Sequence, residues 1–439
     1  MNYIKYLDTA IFILATSLFI FFQNMLLFAS IIIIILFIRV IIGFRYQEGI
    51  VIKGIALISI IGNVLLVMWQ SYPVMTISIL ITAIGSLIRI FYDIRTYRPQ
   101  KTNMIQKLIA LSGYMFLILL RVILMGLTYN AFYPDTLTRA SQDIIAGKVT
   151  GKTQKSESND GTMYYKNIVY EQHQDNTVLD IYTSPEPKGT LFYIHGGGYA
   201  FDDKTYREQS LYQFVKQGYN VVNINYTLSP DAHYPDTLVQ ANQALSYVIK
   251  HAETYGIDPS KMIFSGDSVG AQVSGQLVLL LTNQSYAKEL GIVPANVDNH
   301  VDNHMVPKGF ISVSGLLDTP EVGNTQLFAT DWLFETLIRS YFQTNDVAHS
   351  EEVMESSILN NVNKQFPPTF MSDGNFGSFT KQAQALHHKL KHLGVDSQLV
   401  VFDQSEALLF HVFELKVENS YAQKVHTAQL DFMASVLEQ

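Results

Sequence analysis

The chain has 439 residues, a formal net charge of −8 and no cysteine, which argues against a nucleic-acid partner and excludes disulfides, thiolate catalysis and cysteine-ligated metals. Hydrophobic residues make up 48% of it and charged residues only 15%, a balance too apolar for an ordinary soluble chain. The excess is uneven: residues 9–127 hold nearly all the long apolar runs, whereas residues 131–439 have soluble composition and suffice for one large α/β core.

A membrane-crossing helix needs about 20 mostly apolar residues. Residues 51–70, 73–92 and 105–127 meet that length, and residues 9–44, interrupted by Gln23-Asn24, read as a hairpin of two short spans or as one long helix. Four or five helices are therefore expected over residues 1–130. Arg39, Arg45 and Lys53 surround one turn, and Arg89, Arg95, Arg98, Lys101 and Lys107 surround another, so both loops are expected on the cytoplasmic side. The expected product is a multi-pass cell-membrane protein with everything after residue 130 outside the cytoplasm. No cleavable signal peptide fits the long first apolar stretch. Residues 131–162, with Gly147, Gly151 and the polar run Lys155 to Gly161, read as a solvated juxtamembrane linker.

Beyond it, over residues 163–439, short β-branched runs alternate with helical patterns. Strands are expected at 178–183, 190–195, 219–226, 262–266, 309–314, 369–372 and 397–402, and helices at 204–217, 234–255, 268–282, 331–342, 378–393 and 414–437. Such alternation predicts an α/β fold, a mainly parallel sheet covered by helices on both faces. Catalytic groups of such folds gather where strands end. Two motifs stand there. Gly266-Asp267-Ser268-Val269-Gly270 has a glycine on each side of a serine, as a sharp strand-to-helix turn requires. His195-Gly196-Gly197-Gly198 offers bare backbone N–H groups to an oxygen that becomes negative when a carbonyl is attacked. The expected oxyanion donors are the amides of Gly196, Gly197 and Val269.

With Tyr226-Thr227-Leu228-Ser229-Pro230-Asp231 and Tyr234-Pro235, these motifs make residues 165–437 similar to the α/β-hydrolase superfamily, and specifically to esterases and lipases resembling hormone-sensitive lipase. The apolar part resembles no recognised family. The resemblance implies the chain order serine, acid, histidine. Ser268 is then the nucleophile, and His411, after the last expected strand and followed by Phe413, is the general base. His387, His388, His392 and His426 lie on expected helices and read as surface residues.

The acid departs from the family pattern. Pro367-Pro368-Thr369-Phe370-Met371-Ser372-Asp373-Gly374-Asn375-Phe376-Gly377 puts Gly377 where the relatives' Gly-x-x-Asp run would place the acid. Asp373, at the end of the same strand, is the first choice; Asp318, after Ser314-Gly315-Leu316-Leu317, is the second. His195 is expected to orient the glycine loop, and Asp267 to act as a local electrostatic element.

Val297-Asp298-Asn299-His300 repeats as Val301-Asp302-Asn303-His304, which reads as a solvated insertion rather than a zinc site. Residues 319–365 form a longer insertion whose aromatics, Trp332 and Phe334 among them, are expected to pack in the core or to cover substrate. The expected activity is that of a membrane-anchored carboxylester hydrolase working through an acyl-enzyme, without metal or organic cofactor, on a small-molecule, lipid or acylated-saccharide ester. An acyltransferase to an envelope sugar or lipid, and a binding protein on an impaired hydrolase fold, are the alternatives.

Overall fold

The computed structural model describes residues 133–145, 153–158, 160–295 and 305–438, together with scattered helical positions between residues 33 and 64. The chain divides into two compact units, Met1–Pro134 and Asp135–Gln439. Among the described residues no helix is long and apolar enough to cross a membrane. The expected spans lie outside the described residues apart from those scattered positions, and the Asp-Asn-His repeat lies outside them as well.

The second unit is built on a nine-stranded sheet in the order β1-β2-β3-β5-β4-β6-β7-β8-β9. The strands are β1 (Gln154–Glu157), β2 (Met163–Val169), β3 (Val178–Thr183), β4 (Thr190–Ile194), β5 (Asn220–Ile224), β6 (Met262–Asp267), β7 (Gly309–Val313), β8 (Thr369–Ser372) and β9 (Ser397–Val400). Neighbours from β5 through β9 are parallel, and β1, β2 and β3 extend the sheet antiparallel. All seven expected strands are present. The central ones, β4, β5, β6 and β7, are buried along their whole length, as parallel strands with both faces covered must be.

Successive side chains leave a strand on opposite faces, and the core divides accordingly. Phe192, Ile194, Val222, Phe264 and Phe310 belong to one apolar layer, Leu191, Tyr193, Val221, Ile263 and Ile311 to the other. The helices that matter for the site are α1 (Pro134–Ile145), α2 (Glu208–Lys216), α3 (Asp236–Lys250), α4 (Val269–Thr282), α5 (Phe328–Phe342), α6 (Thr380–His392) and α7 (Ser420–Leu437). Leu238 and Leu245 of α3, Val273 and Leu277 of α4 and Leu386 of α6 pack into the first layer; Leu211 and Phe214 of α2 and Val425 and Met433 of α7 pack into the second.

The region expected to be a solvated linker is partly structured. Residues 134–145 form α1, with Pro134 at its first position, where a missing N–H costs nothing. The helix docks on the rest of the second unit: Arg139 pairs with Asp231 at 2.9 Å, Gln142 donates to the Ser229 carbonyl, and Ser340 of α5 donates to Asp135 at 2.6 Å. The polar run after it is a hairpin. Gln154–Glu157 pairs with Met163–Lys166, and the turn closes through Ser158 N–H to the Thr162 carbonyl at 2.9 Å. An exposed edge strand needs no apolar face, so its composition is that of a loop. Strand β2 also escapes pattern reading, because a bulge between Tyr165 and Ile168 breaks its alternation.

At that bulge a buried ion pair ties the sheet edge to the segment that follows the glycine motif. Lys204 Nζ lies 2.9 Å from Asp180 Oδ1, both side chains almost fully buried, and also donates to Asn167 Oδ1 at 2.9 Å. Asp180 accepts from Asn167 N–H at 2.7 Å, and Lys204 N–H donates to Asn225 at 2.7 Å. Removing one partner of a buried pair strands the other charge. Lys204→Met is therefore expected to lower stability by about 3–5 kcal/mol, measured by urea unfolding; a loss below about 1 kcal/mol, the scale of an exposed pair, would contradict this account.

Candidate active site

Four parallel strands end at one level. Ile194 pairs with Gly266, Asp267 with Val313, and Val313 with Ser372. Extending that register by one or two residues brings Gly196, Ser268, Ser314 and Asp373 off the sheet side by side. Strand pairing thus gathers the glycine loop, the serine and the loop carrying Asp373, which lie far apart in sequence.

Ser268 stands between β6 and α4 with φ 54° and ψ −124°, a positive φ that a side-chain-bearing residue rarely adopts. Its neighbours permit this. A Cβ on Gly270 would lie 2.2 Å from the Ile194 carbonyl oxygen, and one on Gly266 would lie 2.4 Å from the Gly270 carbonyl. Ser268 N–H donates to the Val313 carbonyl at 2.9 Å, and its own carbonyl accepts from Leu316 N–H at 3.1 Å. The strained turn is thereby held from both sides.

His411 Nε2 is 2.9 Å from Ser268 Oγ. The ring lies edge-on to Phe334 of α5 and to Phe379, each at 5.2 Å between centroids. Burial pushes the imidazole pKa down to about 4, the nearby Asp267 charge opposing and the Arg207 charge reinforcing that shift. Above that value the ring is neutral and able to accept a proton.

On the other side of the ring, Nδ1 is 2.8 Å from Ser378 Oγ, and Ser378 in turn donates to Asp373 Oδ1. Asp373, buried at the end of β8, thus meets the histidine through a hydroxyl. Glu414, three residues after His411, is buried too, and accepts from Ser372 at 2.8 Å and from Ser314 at 2.9 Å. Ser314 Oγ also accepts from Val412 N–H at 3.1 Å, so Glu414 ties the histidine loop to the ends of β7 and β8. Burial, reinforced by the Glu414 charge, raises the Asp373 pKa well above the carboxylate range; burial raises Glu414 to about 7.

Asp267, beside the serine, is occupied elsewhere. Arg207 donates to it from Nε at 2.9 Å and from Nη2 at 2.7 Å, and Tyr193 OH donates at 2.8 Å. Burial alone would raise its pKa, but the bidentate guanidinium outweighs it and holds the carboxyl below the usual range. His195 stacks on Tyr226 at 4.5 Å, and its Nδ1 lies 2.7 Å from the Gly196 carbonyl, at the root of the glycine loop. A Cβ on Gly196 would come within 2.9 Å of Ser268 Cβ, so the loop lies against the nucleophile. Gly197, at φ 108°, continues it, and Val269 opens α4, where backbone N–H groups lack helical partners.

The other candidates fall away from this cluster. Asp318 accepts from Ser357 at 2.9 Å. His387 bonds Ser397 at 2.9 Å on α6, and His426 of α7 packs edge-on to Phe214. Among the described residues no group of three or more histidine, aspartate or glutamate side chains could hold a metal ion. Phe334, Leu337 and Ile338 of α5 line the cleft at Ser268, together with Leu316 and Phe379. Helix α5 of the long insertion buries Leu337 and Ile338 in the core, and its Phe334 lines the cleft at Ser268.

A family model described as alpha/beta hydrolase fold matches residues 191–414, just over half of the chain. The chain belongs to the α/β-hydrolase family. Acetyl esterases of Salmonella paratyphi B and Salmonella typhi are 26% and 25% identical to this chain over 217 residues. Those matches take in 47% of this chain, and it spans 62% of the relatives' length. The crystal structure of esterase B from Lactobacillus rhamnosis superposes with a TM-score of 0.55 at 17% identity, over 72% of this chain and 97% of that one, a likeness of fold.

Two residues of the cluster escaped the sequence reading. Ser378 is one serine among many, and only the turn after β8 brings it back to His411. Glu414 left a fainter trace, as a lone carboxylate in the apolar run Val412-Phe413-Glu414-Leu415.

Because the folded-state pKa of Glu414 is raised, the native form holds its proton where the unfolded chain has lost it. Stability is then surrendered as pH rises from the ordinary glutamate value through about 7. Glu414→Gln removes that dependence. Relative to wild type, the variant should gain on the order of 3 kcal/mol between pH 4 and pH 8, read from urea unfolding curves; parallel pH profiles for the two proteins would contradict the assignment.

Proposed function

We propose that this chain is a serine carboxylester hydrolase working through an acyl-enzyme, on the branch of esterases and lipases that resembles hormone-sensitive lipase. The observation that carries the reading is the 2.9 Å contact between Ser268 Oγ and His411 Nε2 on a positive-φ turn laid against the glycine loop.

In this reading His411 Nε2 takes the Ser268 proton as Oγ bonds to the ester carbonyl carbon, and the carbonyl π pair moves onto oxygen. The amides of Gly196, Gly197 and Val269 receive that charge. When the tetrahedral adduct collapses, the bond to the alcohol oxygen breaks and the alcohol departs with the proton from His411. Water, deprotonated by the same nitrogen, then attacks the acyl-serine and releases the carboxylic acid, while Ser268 regains its proton. Asp373, once ionised, is the acid that favours the imidazolium formed in each step.

Short acyl groups suit the cleft best. Apart from Gly198 and Ser268 its lining is wholly apolar, so it offers no polar partner to a long or charged chain. Leu337 narrows it, since a Cβ on Gly198 would lie 2.3 Å from Leu337 Cδ1. The acetyl esterase relatives point the same way. From composition and basic-loop asymmetry alone we further infer that residues 1–130 anchor the enzyme as a multi-pass membrane segment, with the hydrolase outside the cytoplasm.

Ser268→Ala should fold and lose turnover of p-nitrophenyl acetate by several orders of magnitude, as should His411→Ala, and the double variant should be little worse than either. Additive losses in the double variant, or near-normal turnover by either single one, would overturn the pairing.

A further inference from the structure

The contact between His411 and its acid is indirect, and the direction of each hydrogen bond can be worked out. A hydroxyl has one proton to give and two lone pairs to receive. Ser378 gives its proton to Asp373 Oδ1, a bond that, with the Gly374 N–H, opposes the effect of burial on that carboxyl. Ser378 Oγ, 2.8 Å from His411 Nδ1, must then accept, which places a proton on Nδ1. Nε2 is left with a lone pair aimed at the Ser268 hydroxyl. The four groups form one chain of donors pointing from Ser268 to Asp373, in which each bond polarises the next.

We propose that Ser378 is a positioning residue of the reaction, whose hydroxyl fixes the His411 tautomer and carries the influence of Asp373 to the imidazole. This rests on the esterase reading above.

The site supports the assignment geometrically. Ser378 is buried, two residues before α6, and the segment it closes is pinned at its start, where Thr380 donates to the Gly374 carbonyl. Asn375 holds the segment to the histidine loop, accepting from Leu409 N–H at 2.9 Å and donating to the Ala407 carbonyl at 2.8 Å. Gly377, with φ 59°, makes the reversal that returns the chain to His411. The place where relatives would carry the acid is thus a turn that delivers a hydroxyl. The titratable and charged groups near the ring are Asp373 at the end of β8, Glu414 in the histidine loop, and Asp267 with Arg207 beside the nucleophile. The partner that satisfies Nδ1 is Ser378 Oγ, 2.8 Å away.

The test compares full-length wild type, Ser378→Ala and Ser378→Thr. Ala should lower kcat on p-nitrophenyl acetate about ten- to hundredfold, the scale of one hydrogen bond to a charged group. KM should change little, and the acidic limb of the kcat/KM profile should move to lower pH, because the imidazolium loses an acceptor. Thr should restore both. An Ala variant with wild-type kcat and pH profile would overturn the proposal, as would a Thr variant no better than an impaired Ala variant of equal melting temperature. The ¹⁵N spectrum of histidine-labelled wild type adds a readout that needs neither turnover nor a variant: a neutral His411 ring protonated at Nδ1 supports the assignment, and one protonated at Nε2 overturns it. Should wild type fail to turn over esters, the esterase reading falls, and the ring spectrum still decides the hydrogen-bond chain.

Discussion

The backbone at Ser268 is the constraint on which the rest of the site depends. Helix α4 begins so close to β4 that Gly270 sits against the carbonyls of Ile194 and His195, at distances where no side chain fits. The turn between β6 and α4 is then too tight for ordinary dihedral angles, and Ser268 takes the left-handed value that lifts its hydroxyl off the sheet. The cost of that conformation, of order 1–3 kcal/mol, is met by packing on three sides. Leu277 and Val273 anchor α4 in the core, the β4 and β7 ladders hold β6 in register, and Leu316 N–H fastens the Ser268 carbonyl. The groups that act on the serine arrive from the same end of the sheet: the glycine loop follows β4, Asp373 follows β8 and His411 follows β9.

Electrostatics around this row are arranged by separation. Three buried carboxylates, Asp267, Asp373 and Glu414, lie close enough to influence one another. Their surroundings differ. Asp267 is neutralised by Arg207, whose charge is itself shared with Asp202 at 2.8 Å. Glu414 is satisfied by two serine hydroxyls, and Asp373 faces the histidine through a third. The rings of Phe334 and Phe379 keep water from His411, which lowers its basicity in the resting protein and strengthens each polar contact it makes.

Much of this was legible in the sequence, for physical reasons that differ between elements. Strands β3 to β9 are short apolar runs bounded by turn residues, so composition alone marked them. The two glycine motifs were legible because close backbone approach admits few alternatives. The hairpin of β1 and β2 was not, because an exposed edge strand has the composition of a linker, and neither was α1, whose docking on Asp231, Ser229 and Ser340 is tertiary. At the site, Ser268 and His411 come together as their positions in the motif order implied. The acid side was the least legible part: Asp373 was named, but the hydroxyl between it and the ring depends on how the chain reverses at Gly377.

The central claim is that the Ser268 hydroxyl is activated by His411 for attack on an electrophilic acyl or phosphoryl centre. Its most direct test is covalent capture. A fluorophosphonate reacts with an activated serine and leaves a stable adduct whose position peptide mass spectrometry can read. The account predicts a single modified peptide, the one containing Ser268, in the wild-type protein, with labelling slowed by several orders of magnitude in His411→Ala. A stoichiometric adduct on another residue, or labelling of Ser268 at the same rate with and without His411, would contradict it.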